Sequence, residues 1–274
     1  MVEFKENQLY LGDNIEVLKD FPSNCIDLVV TSPPYDDMRT YEDEIAWNFD
    51  IFKNLAFQLV RVLKEGGVIV WVVGDQTKDG SESLTSFKQA LYFKETLGMK
   101  VHDTMIYIKN GGLHKGSNKA YQQKFEYMFV FVKGEIKTYN LIRDKRNKYI
   151  YHNLNHLKRN ADGSLSRENY NNSVFSVRNN YWMYSTGGVT DFGNTHPAIF
   201  PEKLAEDHII SWSNENDIVL DPFMGSGTTC SMAVKNSRKY IGIEKVPKYF
   251  EIAKDRIQKT EIKHNQLEIY KEDW

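Results

Sequence analysis

An apolar strand that runs directly into a glycine-containing turn sets the strongest limit on how this chain can fold. Residues 218–220 (IVL) are followed by residues 221–229 (DPFMGSGTT), and a helix is predicted to begin near the end of that turn. Gly225 and Gly227 permit a tight turn and a close approach of the backbone to a ligand. The third glycine of the dinucleotide-binding fingerprint is missing, because Cys230 occupies its place. A cradle for a pyrophosphate is therefore not indicated.

Short apolar segments alternate with segments of helical periodicity along most of the chain. Strands are predicted over residues 25–30, 68–73, 101–108, 125–132, 218–220 and 240–243, and helices over residues 52–63, 83–97, 201–212, 228 onward and 247–259. Gly66 and Gly67 are expected to end the first of these helices. The alternation predicts an α/β fold with a doubly wound, mostly parallel sheet. The polar stretch of about residues 135–195 interrupts it, which predicts an inserted recognition region.

A second distinctive loop follows another predicted strand. The sequence Thr31-Ser32-Pro33-Pro34-Tyr35 comes directly after the apolar residues 25–30, at the carboxyl end where open α/β sheets bind ligands. The two prolines remove two N–H donors, so the loop offers carbonyl groups that only accept hydrogen bonds. Ser32 adds a hydroxyl that can also accept, and Tyr35 adds an aromatic face. This combination suits a planar group with an exocyclic amino group. A turn without chemistry is the alternative.

An acidic residue ends the predicted strand after the glycine turn. Glu244 lies 19 residues after Gly225, and a carboxylate at this point of a doubly wound sheet can accept hydrogen bonds from ribose hydroxyls. A glycine turn without a pyrophosphate cradle, followed by such an acid, favours a nucleoside cofactor that carries no phosphates. An ordinary strand-to-helix turn with an exposed glutamate is the alternative.

Taken together, residues 32–35 and 221–229 resemble the motifs of the amino-methylating DNA methyltransferases, which use S-adenosylmethionine. The catalytic loop comes first in the chain, an order that is similar to the permuted β group of that family. Further segments that resemble the family are residues 11–14, 66–70 with 74–75, 124–127 with 129–134, and 196–204. The resemblance implies a methyltransferase fold of the S-adenosylmethionine-dependent type. Residues 1–134 would form its catalytic half, 135–193 a target-recognition insertion and 194–274 the cofactor-binding half.

The resemblance also assigns roles to single residues. Ser32, Pro33, Pro34 and Tyr35 would form the catalytic loop, whose Ser32 hydroxyl and Pro33 carbonyl would accept hydrogen bonds from the base amino group and localise its lone pair. That nitrogen would attack the sulfonium methyl in line, after the base has left the duplex stack. The residues placed around the cofactor are Asp13, Thr31, His196, Pro201, Asp221, Phe223, Gly225, Ser226, Gly227, Thr228, Thr229 and Glu244. Among them, Asp13 would meet the adenine amino group, and His196 and Pro201 would flank the methionine end.

The first residue of the catalytic loop bears on which base is methylated. In this family serine accompanies mostly cytosine N4, and aspartate accompanies adenine N6. Ser32 therefore favours cytosine N4, with adenine N6 as the alternative. Methylation at cytosine carbon 5 needs a thiolate nucleophile. Neither Cys25 nor Cys230 follows a proline in a suitable loop, so this reaction is excluded. Methylation of a protein glutamine or an RNA base, a non-catalytic DNA-binding subunit and a nicotinamide oxidoreductase are more distant alternatives.

Charge is distributed unevenly along the chain. The formal net charge is −2, yet residues 100–180 contain 15 Lys or Arg against 6 Asp or Glu. A basic segment in an otherwise acidic chain favours a polyanion as partner. The family resemblance implies that this polyanion is double-stranded DNA. Lys145, Arg146 and Lys148 are the candidate phosphate contacts. A solvated surface insertion without a specific partner is the alternative.

The remaining features concern location and partners. The longest apolar run, residues 68–73, has six residues, too short to span a bilayer, and residues 1–20 lack the apolar core of a secretory signal. A cytoplasmic protein without a membrane partner is therefore expected. The seven histidines and two cysteines show no metal-ligand spacing, so no metal is expected. The family resemblance implies the modification half of a bacterial restriction–modification system, with a cognate restriction endonuclease encoded nearby, and a monomer or homodimer.

Overall fold

The protein is described by a computed structural model that covers residues 2–34, 47–111, 121–150, 154–170, 172–185 and 200–272. Within these ranges the chain divides into two compact units. The larger unit comprises Met1–Asn140 and Asn180–Trp274, and the smaller unit comprises Leu141–Asn179. None of the helices in the described ranges is long and apolar enough to cross a membrane.

The larger unit is built on one eight-stranded sheet. Its strands are β1 (Gln8–Leu11), β2 (Ile26–Thr31), β3 (Leu63–Val73), β4 (Lys100–Asn110), β5 (Phe125–Val132), β6 (Tyr181–Ser185), β7 (Ile218–Asp221) and β8 (Lys239–Glu244). They lie in the order β1-β8-β7-β2-β3-β5-β4-β6. Strand β5 is antiparallel to both of its neighbours, whereas the other pairs are parallel. The carboxyl ends of β8, β7 and β2 therefore lie side by side at one edge.

Helices cover both faces of this sheet. They are α1 (Asn14–Lys19), α2 (Phe49–Val62), α3 (Thr85–Leu91), α4 (Glu202–Trp212), α5 (Thr228–Lys235) and α6 (Pro247–Glu272). Buried side chains of α1, α2 and α3 belong to the core on one face, and those of α4, α5 and α6 to the core on the other. In β3 alternate residues of the run from Val68 to Val73 enter the two cores, which explains its unbroken apolar sequence. The predicted doubly wound, mostly parallel sheet is confirmed.

The boundary between α2 and β3 differs from the prediction. The helix ends at Val62, and Leu63 already has extended dihedrals, φ −69° and ψ 133°. Gly66 and Gly67 therefore lie inside β3 rather than at a helix end. Gly66 has φ +82°, which glycine adopts without penalty, and its N–H donates to the carbonyl of Lys133, the residue directly after the antiparallel neighbour β5, at 2.7 Å. Sheet pairing, which is not visible in a local pattern, sets this boundary.

Two other helices also depart from their predicted ranges. The predicted helix over residues 83–97 begins at Thr85, and after Leu91 it continues as a π-helical turn, Tyr92–Thr96. The last helix starts at Pro247 as predicted but extends to Glu272, well beyond residue 259. Its later residues are rich in charge, so their sequence lacks the apolar period on which the prediction rested.

The smaller unit contains only short antiparallel pairs among its described residues. Leu154–Arg159 pairs with Leu165–Tyr170, and Lys145–Arg146 pairs with Phe175–Ser176. This unit lies inside the predicted insertion of residues 135–193 but is shorter at both ends. Its carboxyl boundary is earlier because Tyr181–Ser185 joins the main sheet as β6, in parallel pairing with β4.

Candidate active site

The two loops singled out in the sequence leave adjacent strands. Strand β7 pairs with β2, so the glycine turn after β7 and the Ser-Pro-Pro loop after β2 begin next to each other. The Thr31 hydroxyl donates to Asp221 Oδ1 at 2.7 Å, and both side chains are buried. A second link runs from the Thr229 hydroxyl to the Val30 carbonyl at 3.3 Å. These contacts fix the two loops relative to each other.

Asp221 is the buried acid of this junction. Besides the Thr31 hydroxyl, its Oδ1 accepts the backbone N–H of Phe223 at 3.1 Å. Burial raises the pKa of the Asp221 carboxyl to about 6, and the hydrogen bond from Thr31 partly opposes that rise. The carboxyl group thus acts as a hydrogen-bond acceptor that orders the first residues of the turn.

Positive dihedrals explain the two glycines of the turn. Gly225 has φ +52° and Gly227 has φ +79°, in the left-handed region that glycine occupies without penalty. Gly227 also lies against α6, where an added Cβ would come within 3.0 Å of the Ala253 Cβ. The turn closes through the Gly227 N–H, which donates to the Met224 carbonyl at 2.8 Å, directly before α5 begins.

Glu244 braces the same turn from the end of β8. Its Oε2 accepts the Gly225 N–H at 2.8 Å, and its Oε1 accepts the Val246 N–H at 2.8 Å. Burial raises the pKa of the Glu244 carboxyl, while these two N–H donors lower it. The carboxylate has further lone pairs beyond these two bonds. Glu244 therefore holds the turn in place. Its contact with ribose hydroxyls stays a prediction.

Asp13 lies beside Glu244 at the sheet edge. The N–H of Gly12 donates to the Glu244 carbonyl at 2.9 Å. This hydrogen bond places the next residue, Asp13, near the end of β8. Asp13 caps α1, since its Oδ1 accepts the N–H of Ile15 at 3.0 Å. Its other oxygen, Oδ2, lies 3.6 Å from Lys245 Nζ. The cap fixes the side chain at this edge, and its contact with an adenine amino group stays a prediction.

The catalytic loop is described only in part. Pro33 is buried, whereas Ser32 and Pro34 are half-buried, so both remain accessible at the carboxyl edge of the sheet. Tyr35 and His196 lie outside the described residues. Pro201 is the N-cap of α4, with extended dihedrals of φ −61° and ψ 128°. The structure thus places residues 31–34 next to the turn after β7.

Comparison with known proteins identifies the family. A sequence profile described as DNA methylase, covering N6 and N4 amino-methyltransferases, matches residues 26–255. The orphan methyltransferase M.BamHII of Bacillus amyloliquefaciens is 51% identical over 261 residues, which are 92% of this chain and 96% of the relative. The Type II methyltransferase M.BglII of Bacillus subtilis is 33% identical over 255 residues, which are 90% of this chain and 68% of the relative. This chain belongs to the DNA methylase family.

Solved structures agree with this assignment. PvuII DNA methyltransferase, described as cytosine-N4-specific, superposes with a TM-score of 0.66 at 21% identity, over 96% of this chain and 92% of the other, and it supports the fold alone. A complex of M1.HpyAVI with SAM superposes with a TM-score of 0.61 at 27% identity, over 91% of this chain and 98% of the other. The methyltransferase fold and the family resemblance predicted from the sequence are confirmed.

The sequence motifs of the methylase did not point to Arg256, which the structure places at the turn. Arg256 lies on α6 and is 2% exposed. One of its terminal nitrogens donates to the Thr228 hydroxyl at 2.9 Å and to the Ser226 carbonyl at 3.3 Å, and the other donates to Glu202 at 2.6 Å. It therefore ties the glycine turn to the first residue of α4. The sequence feature that could have indicated Arg256 is its position as a charged residue within the apolar stripe of the predicted last helix.

The three basic residues predicted to bind DNA all lie in the smaller unit of the methylase. Lys145, Arg146 and Lys148 are exposed. The Lys145 ammonium donates to Asn179 Oδ1 at 3.0 Å, and the Lys148 ammonium lies 5.3 Å from the centre of the Tyr149 ring. Their exposure leaves them available to a polyanion, and their contact with DNA stays a prediction.

Proposed function

We propose that this methylase transfers a methyl group from S-adenosylmethionine to the exocyclic N4 of cytosine in duplex DNA. The observation that carries the proposal is the hydrogen bond between the Thr31 hydroxyl and Asp221, at 2.7 Å. It joins a loop of hydrogen-bond acceptors to a turn that suits a cofactor without phosphates. Methyl transfer needs this adjacency, because the amino group and the methyl donor must meet in line.

The residues around the turn fit S-adenosylmethionine. Phe223, Ser226 and Glu244 are half-buried, so their side chains can contact a ligand at the sheet edge while Asp221 stays buried beneath them. Glu244 would hold the ribose hydroxyls, and Asp13 would accept from the adenine amino group. When bound, S-adenosylmethionine supplies an electrophilic methyl group on a sulfonium. The SAM complex of M1.HpyAVI supports this cofactor.

The catalytic loop makes the base nitrogen nucleophilic. An exocyclic amino group is a weak nucleophile, because its lone pair is delocalised into the ring. The Ser32 hydroxyl and the Pro33 carbonyl would accept its two N–H groups, which localises the lone pair on nitrogen. Tyr35 would stack on the ring of the base after it has left the duplex. The methylated nitrogen is acidic enough to lose its proton without a strong dedicated base.

Nucleoside mass spectrometry tests the proposal. DNA from a methylation-deficient host that expresses the wild-type chain should contain N4-methylcytosine, and expression of the Ser32→Ala variant at the same level should not produce it. N6-methyladenine in place of N4-methylcytosine would keep the family and the mechanism but would show that Ser32 does not select cytosine. If neither nucleoside appears, the proposed activity on DNA is wrong.

The smaller unit is proposed as the target-recognition part of the enzyme. It contains eight Lys or Arg and three Asp or Glu, a net charge of +5, which suits the phosphates of duplex DNA. The relatives named Type II methyltransferases support a restriction–modification setting with a cognate endonuclease, although the relative of 51% identity is named an orphan methyltransferase. A monomer or homodimer remains the expectation for its assembly.

A further inference from the structure

The smaller unit carries a two-stranded antiparallel ribbon with two chemically different faces. The ribbon pairs Leu154–Arg159 with Leu165–Tyr170. In such a pair, residues directly opposite each other share a face, and every second residue along a strand returns to it. Leu157 pairs with Arg167, and Arg159 pairs with Leu165, so these four side chains lie together. We name this face the arginine face.

The other face of the ribbon is neutralised by its own pairing. There the Lys158 ammonium lies 2.9 Å from the Glu168 carboxylate, with His156 opposite Glu168 and Ser166 opposite Lys158. This face combines a base and an acid that satisfy each other, whereas the arginine face contains no acid. The charge of the ribbon is therefore concentrated on one side.

The acids of the smaller unit are engaged elsewhere. Asp144 pairs with Arg178, and Glu168 pairs with Lys158. Asp162 accepts the N–H and hydroxyl of Ser164 at 2.9 and 2.6 Å, in the turn between the two strands. Across the described part of the chain, the side chains of Arg159 and Arg167 have no hydrogen-bond or ion-pair partner, and both are exposed.

Exposed leucines accompany the two arginines. Leu157 is 56% exposed and Leu165 is 65% exposed. Charged residues on a solvated surface do not need apolar neighbours. If the ribbon only had to remain soluble, polar residues would be favoured at the positions of Leu157 and Leu165. A surface that alternates arginine with an aliphatic side chain suits the edges of base pairs, where arginine contacts guanine and apolar groups contact the thymine methyl.

We infer that the arginine face, formed by Leu157, Arg159, Leu165 and Arg167, is the surface with which this enzyme reads duplex DNA. A strand of six residues is about 20 Å long, and the major groove of DNA admits a two-stranded ribbon. The arginines meet guanine edges or the flanking phosphates, and the leucines meet thymine methyls. The inference rests on the proposed function, because it names which part of the smaller unit selects the target.

Charge-only substitutions on the two faces test the inference. Arg159→Gln and Arg167→Gln in the full-length protein keep side chains of similar length, and Lys158→Gln removes the same charge from the opposite face. Binding is measured by fluorescence anisotropy with a pool of labelled duplexes of randomised sequence, at several salt concentrations. We expect each arginine variant to weaken binding about fivefold or more and to reduce the salt slope by about 1, while Lys158→Gln changes binding less than twofold.

Sequence choice supplies the second readout. Sequencing of methylated sites in host DNA should show a relaxed or altered target in the arginine variants and the wild-type target in Lys158→Gln. Melting temperature and S-adenosylhomocysteine affinity should match the wild type in all three, which separates DNA reading from misfolding. Unchanged binding and unchanged targets in both arginine variants, or an equal loss in Lys158→Gln, would overturn the inference. Binding is measured without methyl transfer, so a failure of the proposed activity is a separate result.

Discussion

At the scale of single residues, Asp221 shows how a site side chain also affects stability. Its carboxyl is buried, and its pKa is raised to about 6 in the folded protein, against about 3.9 in an unfolded chain. The folded state therefore binds the proton more tightly. The contribution of this group to stability is fully present below pH 4, and it is lost as the pH rises through about 6.

The variant Asp221→Asn removes this titration while it keeps an acceptor for the Thr31 hydroxyl. We expect the free energy of unfolding of the wild type, minus that of the variant, to fall by roughly 1–3 kcal/mol between pH 4 and pH 7. Urea unfolding of both proteins across that range measures the difference. The contributions of the other titrating groups are the same in both proteins and cancel. A difference that stays constant or rises with pH would contradict the burial of Asp221.

The sequence allowed several of these residues to be located but not their contacts. Asp221, Gly225, Gly227 and Glu244 were identified by their positions after predicted strands. The sequence did not indicate that Glu244 would hold the Gly225 N–H at 2.8 Å, because that contact depends on how far the turn folds back over β8. Local patterns place a residue at a strand end, and tertiary packing decides its partner.

At the scale of elements, Arg256 connects α6 with the glycine turn and with α4. It lies on α6, contacts the turn that precedes α5 and pairs with Glu202 at the start of α4. Arg238 offers a matched comparison, because it also donates several hydrogen bonds, to Ser213 and Asn236, after α4 and α5 have ended. Each arginine thus links neighbouring segments through several hydrogen bonds, at a different place in the fold.

Lysine substitutions distinguish positioning of the turn from general stabilisation. Lysine keeps the charge but cannot replace the planar fork of donors. We expect Arg256→Lys to weaken S-adenosylhomocysteine binding about tenfold, or about 1.4 kcal/mol, and Arg238→Lys to change it less than twofold. Calorimetric titration measures the affinity, and thermal melts report the stability of both variants. Equal losses of affinity in the two proteins would show that Arg256 has no specific effect on the turn.

At the scale of the whole molecule, the alternation of strands and helices was sufficient to predict the architecture. It was not sufficient to place β6, because Tyr181–Ser185 follows a long polar stretch and pairs with β4, about 75 residues earlier in the chain. The sequence pattern does not indicate the end of α2 at Val62 for a related reason, because Gly66 lies inside a paired strand. Long-range pairing sets these boundaries, and a single sequence contains little information about it.

We propose that the loop after β2 performs the transfer while the turn after β7 holds the cofactor. A single-turnover assay with labelled S-adenosylmethionine and duplex DNA tests it directly, with Ser226→Ala as a control on the cofactor side. We predict that Ser32→Ala lowers the transfer rate about 100-fold or more, leaving the dissociation constant for S-adenosylmethionine within twofold of wild type. An unchanged rate, or a rate and an affinity that fall equally, would contradict the account.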